Sequence, residues 1–254
     1  MKGAARYKWG LYVGGSMLEV EDLTVEVAGR RVLNGLNLKV PKGEVHVLFG
    51  PNASGKSSLI KTILGFPEYR VVSGRILFKG VDVTSMPINE RVRLGMGLAF
   101  QSAPAIRGVR LRDVLSRVKR SDVSLEALIN GLNVQPELLE RELNVGFSGG
   151  EFKRSEVLQV LVQRPDFAMF DEPDSGVDVE NLEVIGRAMN EFLKERSGLV
   201  ITHLGYILRY VEADEAHVMI GGRIACSGKP SKILAQILKE GYRWCETCPH
   251  REVM

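Results

Sequence analysis

The chain has 254 residues, 44% of them hydrophobic and 26% charged, with a net charge of +3. Those totals suit a soluble globular protein with a substantial core, and a surplus of three positive charges is too small to argue for a nucleic-acid partner. No stretch approaches the ~20 consecutive apolar residues that a membrane-spanning helix requires, so direct membrane insertion is not expected.

Residues 1–16 contain Lys2, Arg6 and Lys8 and lack the long apolar run of a secretory signal. They are expected to be a disordered, solvated arm, unless Met17 is the true start. Residues 18–27 and 32–40 alternate apolar and polar side chains, which predicts two half-buried strands. Residues 45–50, VHVLFG, form a continuous apolar run, as a buried parallel strand does.

That run leads into Gly50-Pro51-Asn52-Ala53-Ser54-Gly55-Lys56-Ser57, followed by Ser58 and an apolar helical stretch. The spacing is that of a phosphate loop lying between strand and helix. Glycines let successive N–H groups turn inward on an anion, and the helix adds its positive end. Lys56 brings a compact charge to the β- and γ-phosphates, and the Ser57 hydroxyl suits Mg²⁺. Ala53 stands where such loops commonly carry glycine, a change without cost if its φ is negative.

Strands are predicted at 75–80 and 96–100. From about residue 110 to 141 the apolar residues fall at helical spacing, so a helical insertion spanning about 105–163 interrupts an α/β pattern. The pattern resumes with FAMFDE at 167–172, an apolar strand ending in two acids. Asp171 is expected beside Ser57, holding Mg²⁺ through water. Glu172 is expected to project toward the γ-phosphate and to orient or deprotonate the attacking water. A helix near 179–196, strands at 199–202, 216–220 and 222–226, and a final helix near 231–240 complete the series.

Phe147-Ser148-Gly149-Gly150-Glu151 resembles the signature of ABC ATPases, with Phe for Leu and Glu for Gln. The resemblance implies an ABC-type P-loop fold with an antiparallel β subdomain and a small helical subdomain, spanning residues 17–244. It also implies that Ser148, Gly149 and Gly150 contact ATP bound to a second subunit, most simply a second copy of this chain. Gln101 stands at the family's glutamine near Mg²⁺ and the attacking water, Asp178 in its interface loop, and His203 at its switch histidine. Val27 stands where many members stack adenine on an aromatic ring.

Finer features are similar to the SufC family, the ATPases of the SUF iron–sulfur cluster assembly system. These are residues 144–151, Asp174-Ser175-Gly176, Thr202-His203, residues 207–210, His217-Val218-Met219, Gly222-Arg223-Ile224, Ser227-Gly228 and Gly241-Tyr242-Arg243-Trp244. That resemblance implies a cytoplasmic ATPase acting on scaffold partners of the SufB and SufD type. Pro173 instead matches transporter ATPases, so the ATPase subunit of a membrane transporter is the alternative. Residues 245–254 are expected to be a tail of reduced thiols, although Cys245, Cys248 and His250 have the composition of a partial metal site.

Overall fold

The computed structural model describes residues 15–246. The chain forms an α/β core carrying an antiparallel layer on one side and a helical insertion on the other. Strands β1 (Ser16–Val27) and β2 (Arg30–Pro41) make a hairpin whose two-residue turn, Ala28-Gly29, has positive φ at both positions. That turn matches the natural twist of paired strands. Strand β3 (Val45–Phe49) is fully buried and runs into helix α1 (Lys56–Leu64). Strands β4 (Arg70–Phe78) and β5 (Val81–Asp82), helix α2 (Ile88–Arg93) and strand β6 (Met96–Ala99) follow.

The insertion holds helices α3 (Leu111–Val118), α4 (Leu125–Gly131), α5 (Pro136–Glu140) and α6 (Gly149–Gln163). The core closes with β7 (Phe167–Asp171), α7 (Val179–Leu193), β8 (Ser197–Ile201), β9 (Glu215–Ile220), β10 (Arg223–Gly228) and α8 (Pro230–Glu240). Short 3₁₀ turns lie at Tyr206–Arg209 and Tyr242–Glu246.

Two sheets result. The four-stranded one has the order β2-β1-β4-β5 and is antiparallel. The six-stranded one has the order β10-β9-β3-β8-β7-β6, parallel except for β10. Alternation along β3 divides its side chains between two cores. Val45, Val47 and Phe49 pack with the helices, whereas Leu48 packs with α1 and the antiparallel sheet.

Arg91 of α2 ties down the far end of α1. Its guanidinium is buried and donates to the carbonyls of Thr62, Ile63, Met86 and Thr84 at 2.7–2.9 Å. Burial, only partly opposed by Asp82, pushes its pKa down to about 10. A cation on the last carbonyls of α1 suits the negative end of that helix, so α1 is anchored opposite the phosphate loop.

Two residues assigned to the expected terminal segments belong to the fold. Ser16 is already in β1, its backbone partnered by Pro41. Cys245 is fully buried, its Sγ 3.7 Å from that of Cys226, so it belongs to the core and not to a tail. Residues 1–14 of the expected arm, and Cys248 and His250, lie outside the described residues.

Candidate functional site

The phosphate loop leaves the end of β3 and enters α1 as expected. A side chain at Gly50 would bring a Cβ within 2.4 Å of the Met219 carbonyl oxygen and 2.7 Å of Ser54 Oγ, so the backbone approach there admits only glycine. Ser54 N–H donates to the Pro51 carbonyl at 3.2 Å, and Gly222 N–H donates to the Ser54 carbonyl at 2.9 Å. The loop is thereby fixed to the turn between β9 and β10. Asn52 and Ala53 form its exposed crest.

Ala53 corrects the sequence expectation. Its φ is 61°, in the left-handed region, so the missing glycine carries a conformational cost of ~1–2 kcal/mol.

Lys56 is buried at the first position of α1, and its Nζ donates to the carbonyls of Gly50 and Pro51 at 2.8 and 3.0 Å. Burial lowers its pKa, opposed by the neighbouring charges of Glu172 and Asp171. Ser57 Oγ donates to Asp171 Oδ1 at 3.2 Å, so the two expected Mg²⁺ groups are adjacent. Burial pushes the Asp171 carboxyl up, while the Ser57 hydrogen bond pulls it down. Ser58 contributes its carbonyl to the Thr62 hydroxyl.

These residues suit an anionic, metal-bearing ligand. Ser54 Oγ is buried beneath the loop with no partner, and a buried hydroxyl without one is costly. Ser57 and Asp171 offer the hard oxygen donors that Mg²⁺ prefers.

Three of the expected catalytic side chains meet at Glu172. His203 Nε2 lies 2.6 Å from Glu172 Oε1, and Gln101 Nε2 donates to Glu172 Oε2 at 2.6 Å. The Glu172 backbone has φ 50° and its N–H donates to the Ile201 carbonyl. A glutamate in the left-handed region at the end of a buried strand is strained, as functional side chains often are.

Further residues hold this cluster in place. Lys153 of α6, buried near Asp171 and Glu172, donates to the Gln101 carbonyl at 3.1 Å. Thr202 donates to Asp174 Oδ2 at 2.5 Å and accepts from Gly205 N–H. The Tyr242 hydroxyl donates to the His203 carbonyl at 2.9 Å. Sequence reasoning gave Lys153 no role, and it cited Tyr242 only as a point of resemblance. Neither stands at a motif spacing, so only the folded chain shows what they hold.

Ser148, Gly149, Gly150 and Asp178 form a second cluster at the starts of α6 and α7. Ser148 is the N-cap of α6, its Oγ accepting from Glu151 N–H, while Glu151 accepts from Ser148 N–H. This reciprocal capping box explains the glutamate at the signature's last position. The Ser148 backbone N–H, above all, holds the Glu151 carboxyl below its usual range, with Arg141 contributing. Arg141 also donates to the Val145 and Gly146 carbonyls and lies 5.0 Å from the Phe147 ring centre.

Added Cβ atoms at Gly149 and Gly150 would reach within 2.8 Å of the Gly176 carbonyl oxygen and 2.7 Å of Asn181 Nδ2. Asp178 caps α7 by accepting from the Asn181 N–H and side-chain amide at 2.8 Å each. Gly149 and Gly150 therefore let the loop from Gly176 to Asp178 and the first turn of α7 pack directly against the start of α6.

A P-loop between a buried strand and a helix, an acid pair at the end of β7 and a signature at the start of a helix in an inserted subdomain define an ABC-type ATPase. The ABC transporter family model matches residues 33–175. The chain is 41% identical over 244 residues to Vegetative protein 296 of Bacillus subtilis, covering 90% of this chain and 93% of that protein. It is 40% identical over 245 residues to a probable ATP-dependent transporter of Synechocystis, covering 89% and 94%. The solved ADP conformation of an ATP-binding cassette from an ABC transporter matches at TM-score 0.71 and 25% identity, covering 89% and 96%.

The chain belongs to the ABC transporter ATP-binding family and is a P-loop ATPase. The likeness to SufC-type members, read from the signature and switch segments, stands with these relatives. Among the described residues, no helix is long and apolar enough to cross a membrane.

Proposed function

We propose that this ATPase drives remodelling of a cytoplasmic SUF-type iron–sulfur assembly scaffold, with SufB-like and SufD-like proteins as partners. The observation that carries the chemistry is the convergence of Gln101 and His203 on Glu172, beside the Ser57–Asp171 pair. Glu172 is the general base, His203 senses the γ-phosphate, and Gln101 links the attacking water to Mg²⁺. Lys56 and the loop from Gly50 to Ser58 bind the triphosphate. Ser57, Gln101 and Asp171, the last through water, would hold Mg²⁺, which supplies charge neutralisation on the phosphates.

In the present arrangement Glu172 is held by His203 and Gln101, so activation requires the carboxylate to exchange one of these contacts for water. The second copy completes the site. Ser148, Gly149 and Asp178 are exposed, and Val179 beside them is 67% exposed, which suits a surface covered by a partner subunit. ATP that binds the closed pair better than the open one draws the copies together and transmits force to whatever they hold.

The SUF assignment rests on the segments similar to SufC. Pro173 and the relatives described as transporters support the second reading, the ATPase subunit of a membrane transporter. To decide between them, tagged Glu172→Gln protein is trapped with Mg-ATP and its bound proteins are identified from host lysate. Soluble scaffold proteins of iron–sulfur assembly support the first reading. Integral membrane proteins overturn it in favour of the second.

A further inference from the structure

Behind the phosphate loop, the sheet face that looks toward the antiparallel layer carries a polar row. Alternation places His46 with Leu48 on this face of β3, and Glu215 and His217 with Met219 on β9. The register sets His46 beside Glu215, and Ser227 of β10 beside His217. Ligand atoms of His46, Glu215 and His217 consequently lie within 4.8 Å of one another.

The two buried imidazoles face each other, with His46 Nδ1 and His217 Nε2 2.9 Å apart. Their outward nitrogens are also engaged. His46 Nε2 lies 2.9 Å from Glu44 Oε2, and His217 Nδ1 lies 2.6 Å from Ser227 Oγ.

A carboxylate only accepts, so His46 carries its proton on Nε2 and presents a bare Nδ1 inward. His217 then donates from Nε2 into that lone pair, while Ser227 donates to Nδ1. A serine hydroxyl accepts as readily as it donates. If it turns, the His217 proton can sit on Nδ1, and both inward nitrogens become bare without any net change in protonation.

We infer that His46, His217 and Glu215 form a transition-metal site suited to Zn²⁺, with Glu44 and Ser227 orienting the two rings. Two imidazoles and a carboxylate are a three-ligand zinc set that leaves a fourth position open. Outer hydrogen bonds of this kind fix the ligating tautomer. Tetrahedral Zn–N bonds of ~2.0–2.1 Å place two nitrogens ~3.3 Å apart, so the two nitrogens, which now face each other at 2.9 Å, must separate by a few tenths of an ångström and each ring must tilt by roughly 35° to aim its lone pair at a shared ion. Glu215 is half-buried and lines, with His217 and Ser227, a cleft of about 270 Å³ that gives an ion its route in from solvent. A metal here joins β3, which ends in the phosphate loop, to β9.

The test uses metal-stripped full-length chain carrying Cys248→Ser and His250→Ala, so that the C-terminal ligands cannot contribute. Zn²⁺ is titrated against a chromophoric chelator with Mg²⁺ in excess and no nucleotide. The expected result is one Zn²⁺ per chain with a Kd below ~10 µM and a raised Tm. Glu215→Gln, which preserves volume at a half-exposed position and leaves Mg-ATP hydrolysis unchanged, weakens Zn²⁺ at least ~10-fold. His217→Asn weakens it further. Failure to bind stoichiometrically below ~100 µM overturns the site, and so does an affinity indifferent to both substitutions.

Discussion

At Glu172 a left-handed backbone and short contacts to Gln101 and His203 fix one carboxylate at the end of β7. Glu172→Gln is expected to lower turnover by about 10²–10⁴ while ATP binding survives, as loss of a general base does. Steady-state ATPase rates paired with nucleotide titration check this, and normal hydrolysis would remove Glu172 from the role of base. Lys56→Ala is expected to act in the opposite sense, weakening nucleotide binding itself. Ala53 offers a separate test of strain. Because its φ is 61°, Ala53→Gly is expected to raise stability by up to ~1 kcal/mol after the added flexibility of the unfolded chain is subtracted, read as a higher Tm. Residues at motif spacing, such as Lys56 and Asp171, were legible in the sequence because their chemistry demands both type and position, whereas His203 was reached through the resemblance to ABC ATPases. The φ of Ala53 was not, since it depends on the path the closed loop takes.

Among the elements, α6 and α1 carry the most informative ends. Ser148→Ala removes one half of the capping box and is expected to cost ~1 kcal/mol of stability, read from denaturant unfolding. The Glu151 carboxyl titrates below its usual value when folded. Its contribution is therefore complete above the unfolded pKa and is lost as pH falls through the lower folded value. Glu151→Gln should accordingly flatten part of the acid limb of the stability curve. At the other end of α1, Arg91→Met strands carbonyls of Thr62, Ile63, Thr84 and Met86, with an expected loss of ~3 kcal/mol or more. Calorimetry of the variant measures it. Apolar periodicity made the long elements readable, but β4 starts at Arg70, well before the expected residue 75. Its first half is largely exposed and gives no alternating signal. It is held by backbone pairing to β1 and by the Arg70–Glu26 and Arg75–Glu21 ion pairs, which join residues distant in sequence.

For the whole molecule, the exposed starts of α6 and α7 lead to an expectation about assembly. Glu172→Gln with Mg-ATP is expected to shift from monomer to dimer on sedimentation, and Ser148→Arg to abolish that shift without loss of nucleotide binding. A dimer that persists in Ser148→Arg would place the contact elsewhere. The α/β class, the inserted helices and the group of Lys56, Ser57, Asp171 and Glu172 were legible from pattern and spacing, and Gln101 and His203 from the resemblance to ABC ATPases. Contacts between distant segments were not, and the hydrogen bond from Tyr242 to the His203 carbonyl is the clearest of them. It joins residues 39 positions apart, and it places the final described turn of the chain against the loop that carries His203. Load applied at this turn therefore reaches the backbone of His203 through that bond, and Tyr242→Phe uncouples the two.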